Sequence, residues 1–122
     1  MKEGLSYTST VEVTAENCAS SVGSGGLMVF ATPSLAAIME NAAMNVVAPY
    51  MPEGSTTVGG EISIKHIRPT AVGDTVSATA LLVKIDGRRL FFELSASDSK
   101  GIVGEGTHTR FIVDIERFRS KL

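Results

Sequence analysis

Three residues of this chain have the types and surroundings to do chemistry together: Thr32, Glu40 and His66. Glu40 lies inside Phe30 to Val47, FATPSLAAIMENAAMNVV, a stretch that is small and apolar almost all round. At about 100° per residue its helical neighbours are Ala36, Ala37, Ala43 and Met44, and no Lys or Arg stands one turn away to pair with it. Such a carboxylate should be desolvated and reluctant to ionise unless another element brings it a partner. In GEISIKHIRP, alternation puts Ile62, Ile64, His66 and Arg68 on one face and Glu61, Ser63 and Lys65 on the other. The imidazole therefore points toward the helix or toward a cavity beside it, and His66 is the candidate partner of Glu40. Alone, each reads as a structural residue. Together they supply a base and an orienting group. Thr32 adds a hydroxyl at the helix start, where unpaired backbone N–H groups favour negative charge developing on a carbonyl oxygen.

A second set is suggested by GIVGEGTHTRFIV, where Gly104, Gly106, His108 and Arg110 share a face. Glycines in line open space over a sheet, and Arg110 at the end of that line either holds a carbonyl or phosphate or is an ordinary solvated arginine. His108 reads as structural or exposed. Gly59-Gly60 marks a close approach to the backbone, a bulge, or both. The stretch NCASSVGSGGLMV, with Gly23, Gly25 and Gly26, is a mobile loop ahead of the helix, either a connector or a wall for a ligand. It is not a phosphate loop, because no GK[ST] follows.

The elements that must position these groups follow from periodicity. Tyr7 to Thr14 alternates as a half-buried strand. Thr32 is the expected N-cap of the helix, with Pro33 at its first position and Pro49 and Pro52 as the stop. Four extended runs come next, Thr56 to Arg68, Thr75 to Ile85, Arg89 to Asp98 and Ile102 to Asp114, separated by turn residues that include Asp86-Gly87. The simplest expectation is a meander in which each run pairs with the next. That is an α+β class with one helix serving a five-stranded antiparallel sheet. The sheet must curl round that helix, and its open edges point to pairing with a second copy.

Composition narrows the function. The 122 residues suit a single domain, 1–122, and the net charge of −2 offers no basic footprint for nucleic acid. The lone Cys18 has no internal disulfide partner and no Cys/His cluster accompanies it, which argues against a structural zinc site and for a reducing, cytoplasmic location. Neither a metal nor a cofactor is expected, and the apolar helix is too short and too Asn-bearing to span a bilayer.

The segments ATPSLAAIMENAA and GGEISIKHIRPTAVGDTVSATA, in this order of elements, resemble the fluoroacetyl-CoA thioesterase-like branch of hotdog thioesterases, over about Tyr7 to Phe118. The resemblance implies a hotdog fold and a metal-free Thr/Glu/His site, matched by Thr32, Glu40 and His66. It also implies that Gly59 meets the thioester, with Gly60 and Arg110 binding substrate. The implied reaction is hydrolysis of a short acyl-CoA to a free acid and CoA, in a homodimer that could pair further into a dimer of dimers. Glu40 would be general base or transient acyl acceptor. Two other readings compete: a non-catalytic acyl-CoA-binding module, and a hydratase or dehydratase of acyl thioesters.

Overall fold

The computed structural model describes residues 1–122. In chain order the elements are β1 (Ser6–Glu12), a 3-10 turn (Ala15–Asn17), α1 (Ala19–Val22), α2 (Thr32–Val47), a second 3-10 turn (Ala48–Tyr50), β2 (Ser55–His66), β3 (Thr75–Asp86), β4 (Arg89–Asp98), β5 (Gly101–Asp114) and α3 (Ile115–Arg119). The strands form one antiparallel sheet that curls around α2, in the order β1-β3-β4-β5-β2. No helix is long and apolar enough to cross a membrane. The stretch ahead of α2, expected as a mobile loop, carries α1 and is tied to it by a bridge between Cys18 and Phe30.

The order corrects the simple meander. Gly87 and Gly101 take left-handed φ values of 60° and 127° and close the β3-β4 and β4-β5 hairpins as expected. β2, however, does not pair with β3. It pairs with β5 at the far edge, from Ser55 opposite Asp114 to His66 opposite Gly104. The link 67–74 crosses the end of the sheet instead of turning back, a span of about 14 Å for three strand spacings, well within its extended reach of about 26 Å. It is held down on the way: Phe30 N donates to Thr70 O at 2.9 Å and Gly73 N donates to Val13 O at 2.8 Å.

The helix buries Leu35, Met39, Ala42, Ala43, Val46 and Val47 against Val76, Ala78, Ala80 and Leu82 of β3 and Leu90, Phe92, Leu94 and Ala96 of β4. Small residues on both sides let it sit close. A Cβ at Gly104 would lie 2.9 Å from Leu35 Cδ2, so a side chain there would push the helix away. The polar stripe of α2 is used by β1: Ser9 Oγ donates to Asn41 Oδ1 at 2.7 Å, and Asn45 Nδ2 donates to Asn41 O at 2.9 Å.

Thr32 is not the N-cap. Ala31 holds that position in extended conformation, and Thr32 is the first helical residue. The backbone explains the shift. Ala31 N donates to Asn17 O at 3.0 Å, so the chain enters the helix without needing a hydroxyl, and the Thr32 side chain is free for another partner.

One part-buried ion pair anchors the crossover to the β4-β5 hairpin. Arg68 Nη2 donates to Asp98 Oδ1 and, at 3.0 Å, to Gly101 O, while Thr70 Oγ1 donates to Asp98 Oδ2 at 2.8 Å and Lys100 N to Oδ1 at 2.8 Å. Burial pushes the Asp98 carboxyl up, but the Arg68, Lys100 and Thr70 donors outweigh it and hold the pKa down at about 2. A depressed native pKa gives stability that is present above the unfolded value of 3.8 and lost as pH falls toward 2. Asp98→Asn should therefore lower the melting temperature at pH 7 and flatten its acid dependence between about pH 4 and pH 2. An unchanged acid limb would remove Asp98 from this role.

Candidate active site

The polar groups on the inner side of the sheet form two clusters. The first lies where β2 ends and α2 begins. Thr32 Oγ1 is 2.8 Å from His66 Nδ1, and the other ring nitrogen, Nε2, is shielded from solvent with no partner in the chain. A cavity of about 270 Å³ opens beside them, lined among others by Val29, Phe30, Thr32, His66 and Arg68. Burial pushes the His66 pKa down, against a smaller opposing contact with the Arg68 backbone, so the ring is neutral at pH 7.

The second cluster surrounds Gly59 in β2. Its cross-strand partner is Arg110, and the register slips between Gly59 and Glu61 in a bulge. A Cβ on Gly59 would lie 2.5 Å from Glu40 Oε2, 3.3 Å from His108 Cε1 and 3.4 Å from Arg110 Nη1. Three side chains thus converge over one bare backbone. Arg110 Nη1 is 3.6 Å from Glu40 Oε2, and His108 Nε2 is 3.9 Å from the same oxygen. Arg110 is pinned from the other side as well: Nε donates to Thr57 Oγ1 at 2.9 Å and Nη2 to Thr57 O at 3.1 Å.

Several expectations change here. Glu40 has its partner, but within the chain that partner is Arg110 and not His66, because β2 lies beside β5 and Gly59 brings Arg110 under the carboxylate. Glu40 is also not desolvated; its side chain keeps 41% of its exposure. Along α2 it stands about two turns from Thr32, roughly 12 Å of rise, so the Thr32 and His66 pair and the acid are separate groups in one chain. Arg110 is buried, not a solvated arginine, and it meets Glu40. A Cβ on Gly60 would run into the Phe111 ring, so this glycine admits that aromatic beside the bulge. His108, which the sequence left as structural or exposed, is 3% exposed and belongs to the second cluster. Its signal was the spacing in His108-Thr109-Arg110, which puts histidine and arginine on one face of a strand.

Comparison with known proteins agrees with this arrangement of elements. The profile of FlK, fluoroacetyl-CoA-specific thioesterase, matches residues 13–116. The fluoroacetyl-CoA thioesterase of Streptantibioticus cattleyicolor is 38% identical over 94 residues, covering 77% of this chain and 68% of that protein. A crystal structure of a variant of FlK superposes with a TM-score of 0.93 at 31% identity, over 99% of this chain and 94% of that one. A Thermus thermophilus thioesterase superfamily member shares the fold at 23% identity, with a TM-score of 0.91 over 98% of this chain and 89% of that one.

The sequence has 2 histidines, and burial is the leading influence on both, so both rings should titrate below the ordinary value of about 6.5 in nitrogen-15 spectra. Because the folded pKa values are depressed, their contribution to stability is complete above the unfolded value and lost as pH falls below it. A ring that titrates at or above about 6.5 would contradict its buried placement.

Proposed function

Since the chain belongs to the FlK family of fluoroacetyl-CoA-specific thioesterases, and is on that ground a thioester hydrolase, we propose that it cleaves a short acyl-CoA to the free acid and CoA. The reacting groups in this reading are Glu40, His66 and Thr32, and the working unit is a homodimer. The observation that carries it is the Thr32 and His66 pair at the cavity, with His66 Nε2 shielded and unpaired. A buried ring nitrogen without a partner is a place for a substrate atom.

The chemistry uses a neutral ring. In this reading Thr32 donates its hydroxyl hydrogen to Nδ1, and the ring carries its own hydrogen on Nε2, aimed at the carbonyl oxygen of the thioester. Glu40 takes a proton from water as the water oxygen attacks the carbonyl carbon. The carbonyl electron pair moves onto oxygen, where the Nε2–H holds it. Collapse then breaks the C–S bond, and the thiolate of CoA takes the proton from Glu40. In this reading Glu40 is the base for water, and because about 12 Å of helix rise separates it from Thr32 within one chain, the acid that meets the water and the Thr32 and His66 pair that meets the carbonyl come from different copies of the homodimer.

The second copy enters through β2. It is an edge strand, and it carries both Gly59 and His66. Pairing that edge with the same edge of another chain would continue the sheet and place the partner against both clusters. The acyl group is short but not confined to fluoroacetyl. Phe30 is buried, and the loop before it presents Leu27 and Met28 to solvent, 71% and 57% exposed, with no aromatic ring to close over a small acyl end. A related FlK variant has been solved in complex with acetyl-CoA.

Acetyl-, propionyl- and butyryl-CoA with a thiol reagent should all show CoA release, and Glu40→Gln should lower kcat by at least about 100-fold while staying folded. Full activity in that variant rejects the mechanism. Turnover in ¹⁸O water should label the product acid and leave Glu40 unlabelled; label in Glu40 would make it the acyl acceptor. Saturable CoA binding without release points to a binding module, and loss of enoyl absorbance without free thiol points to a hydratase. Size-exclusion chromatography that gives a monomer at assay concentration would overturn the dimer.

A further inference from the structure

His108 is buried in the middle of β5, holds none of the groups proposed to react, and is nonetheless wired to them. Its Nδ1 is 2.7 Å from Glu61 O, and a carbonyl only accepts, so Nδ1 carries the ring hydrogen. Its Nε2 is 3.2 Å from Arg110 Nη1, and a guanidinium only donates, so Nε2 accepts. Both bonds can be made at once only by the neutral ring in this one tautomer. The Glu61 carbonyl stands at the bulge, where the register of β2 against β5 slips between Gly59 and Glu61.

The consequence falls on Arg110. Thr57 takes Nε and Nη2, and His108 takes one direction of Nη1. With those three anchors the planar guanidinium has one orientation, in which Nη1 stands 3.6 Å from Glu40 Oε2 above the bare Gly59. We propose that His108 is a positioning residue for the reaction: it fixes Arg110 so that Arg110 holds the Glu40 carboxylate over Gly59, and it touches neither substrate nor water itself. The proposal rests on the reading of Glu40 as the base.

The charged and titratable groups facing the ring are Glu40 from α2 and Arg110 from its own strand; β4 presents the Phe92 ring, with centroids 6.1 Å apart, and β2 presents the Glu61 carbonyl. Protonating His108 would put a hydrogen on Nε2 against the arginine donor and end the hold. Burial and the Arg110 charge oppose that protonation, while the Glu61 carbonyl and Glu40 favour it, and the net direction is downward.

Three variants test this. His108→Leu removes the acceptor and keeps an apolar side chain. His108→Gln restores an acceptor at about the reach of Nε2 and cannot titrate. Arg110→Met removes the group through which His108 is said to act. With acetyl-CoA as probe, His108→Leu should lower kcat about 10-fold to 100-fold with KM changed less than about 3-fold, and His108→Gln should recover most of the loss. In the Arg110→Met background, His108→Leu should have no further effect on kcat. Equal losses in the Leu and Gln variants, or full additivity with Arg110→Met, would overturn the proposal. A readout without substrate separates it from the function itself. In wild type the Arg110 guanidinium should give distinct, slowly averaging nitrogen resonances, and in His108→Leu they should merge. Merged signals already in wild type would also overturn it. A wild type that hydrolyses no acyl-CoA would defeat the thioesterase reading, whatever the arginine spectra show.

Discussion

The pairing of β2 with β5 is the constraint on which the rest depends. It sets Gly59 opposite Arg110 and His66 opposite Gly104, while Gly59 meets Glu40 and His66 meets Thr32 of the same helix. Had β2 paired with β3, as sequential strands often do, Gly59 would not lie opposite Arg110. The crossover 67–74 makes the pairing possible, and the Arg68, Thr70 and Asp98 network locks that crossover to the β4-β5 hairpin. The ion pair far from Glu40 and the geometry at Glu40 are thus parts of one arrangement.

The glycines serve that arrangement in different ways. Gly104 lets Leu35 and Met39 descend onto the sheet, which sets the height of the helix and so of Glu40. Gly59 leaves the spot under the Glu40 carboxylate empty, while Gly60 takes the Phe111 ring and forms the bulge. At this bulge β2 presents both a bare backbone under the acid and, from Glu61, a carbonyl bonded to His108.

Most of the fold was legible in the sequence because each element carried its own period: the helix boundaries, the long strands and the two tight hairpins needed only local signals. What local signals cannot carry is which strand lies beside which. The turn residues around Pro69 to Gly73 look the same whether the chain reverses or crosses over, and only the contacts with Phe30 and Val13 distinguish the two. That one ambiguity explains the misassigned partner of Glu40. His66 was read on the correct face, but the edge pairing sent it to Thr32 and sent Arg110 to the acid. His108 was passed over for a similar reason, since its bonds to Glu61 O and Arg110 exist only once β2 and β5 are neighbours.

Both histidines are driven toward the neutral form, by burial first, yet they are bonded differently. At His108 a backbone carbonyl occupies Nδ1 and leaves Nε2 as an acceptor for arginine, whereas at His66 the Thr32 hydroxyl occupies Nδ1 and Nε2 has no partner in the chain. The carbonyl fixes one tautomer at His108; the hydroxyl, which can give or receive, leaves His66 able to do either. In the proposed hydrolysis such a division would have a use. A neutral donor suits a carbonyl oxygen whose charge is transient, because it stabilises the oxyanion without trapping it, and a CoA thiolate leaves readily enough to need no strong acid. Glu40 and Arg110 lie together over Gly59, apart from the Thr32 and His66 pair, so the proposed reaction would separate the handling of the water proton from the holding of the carbonyl.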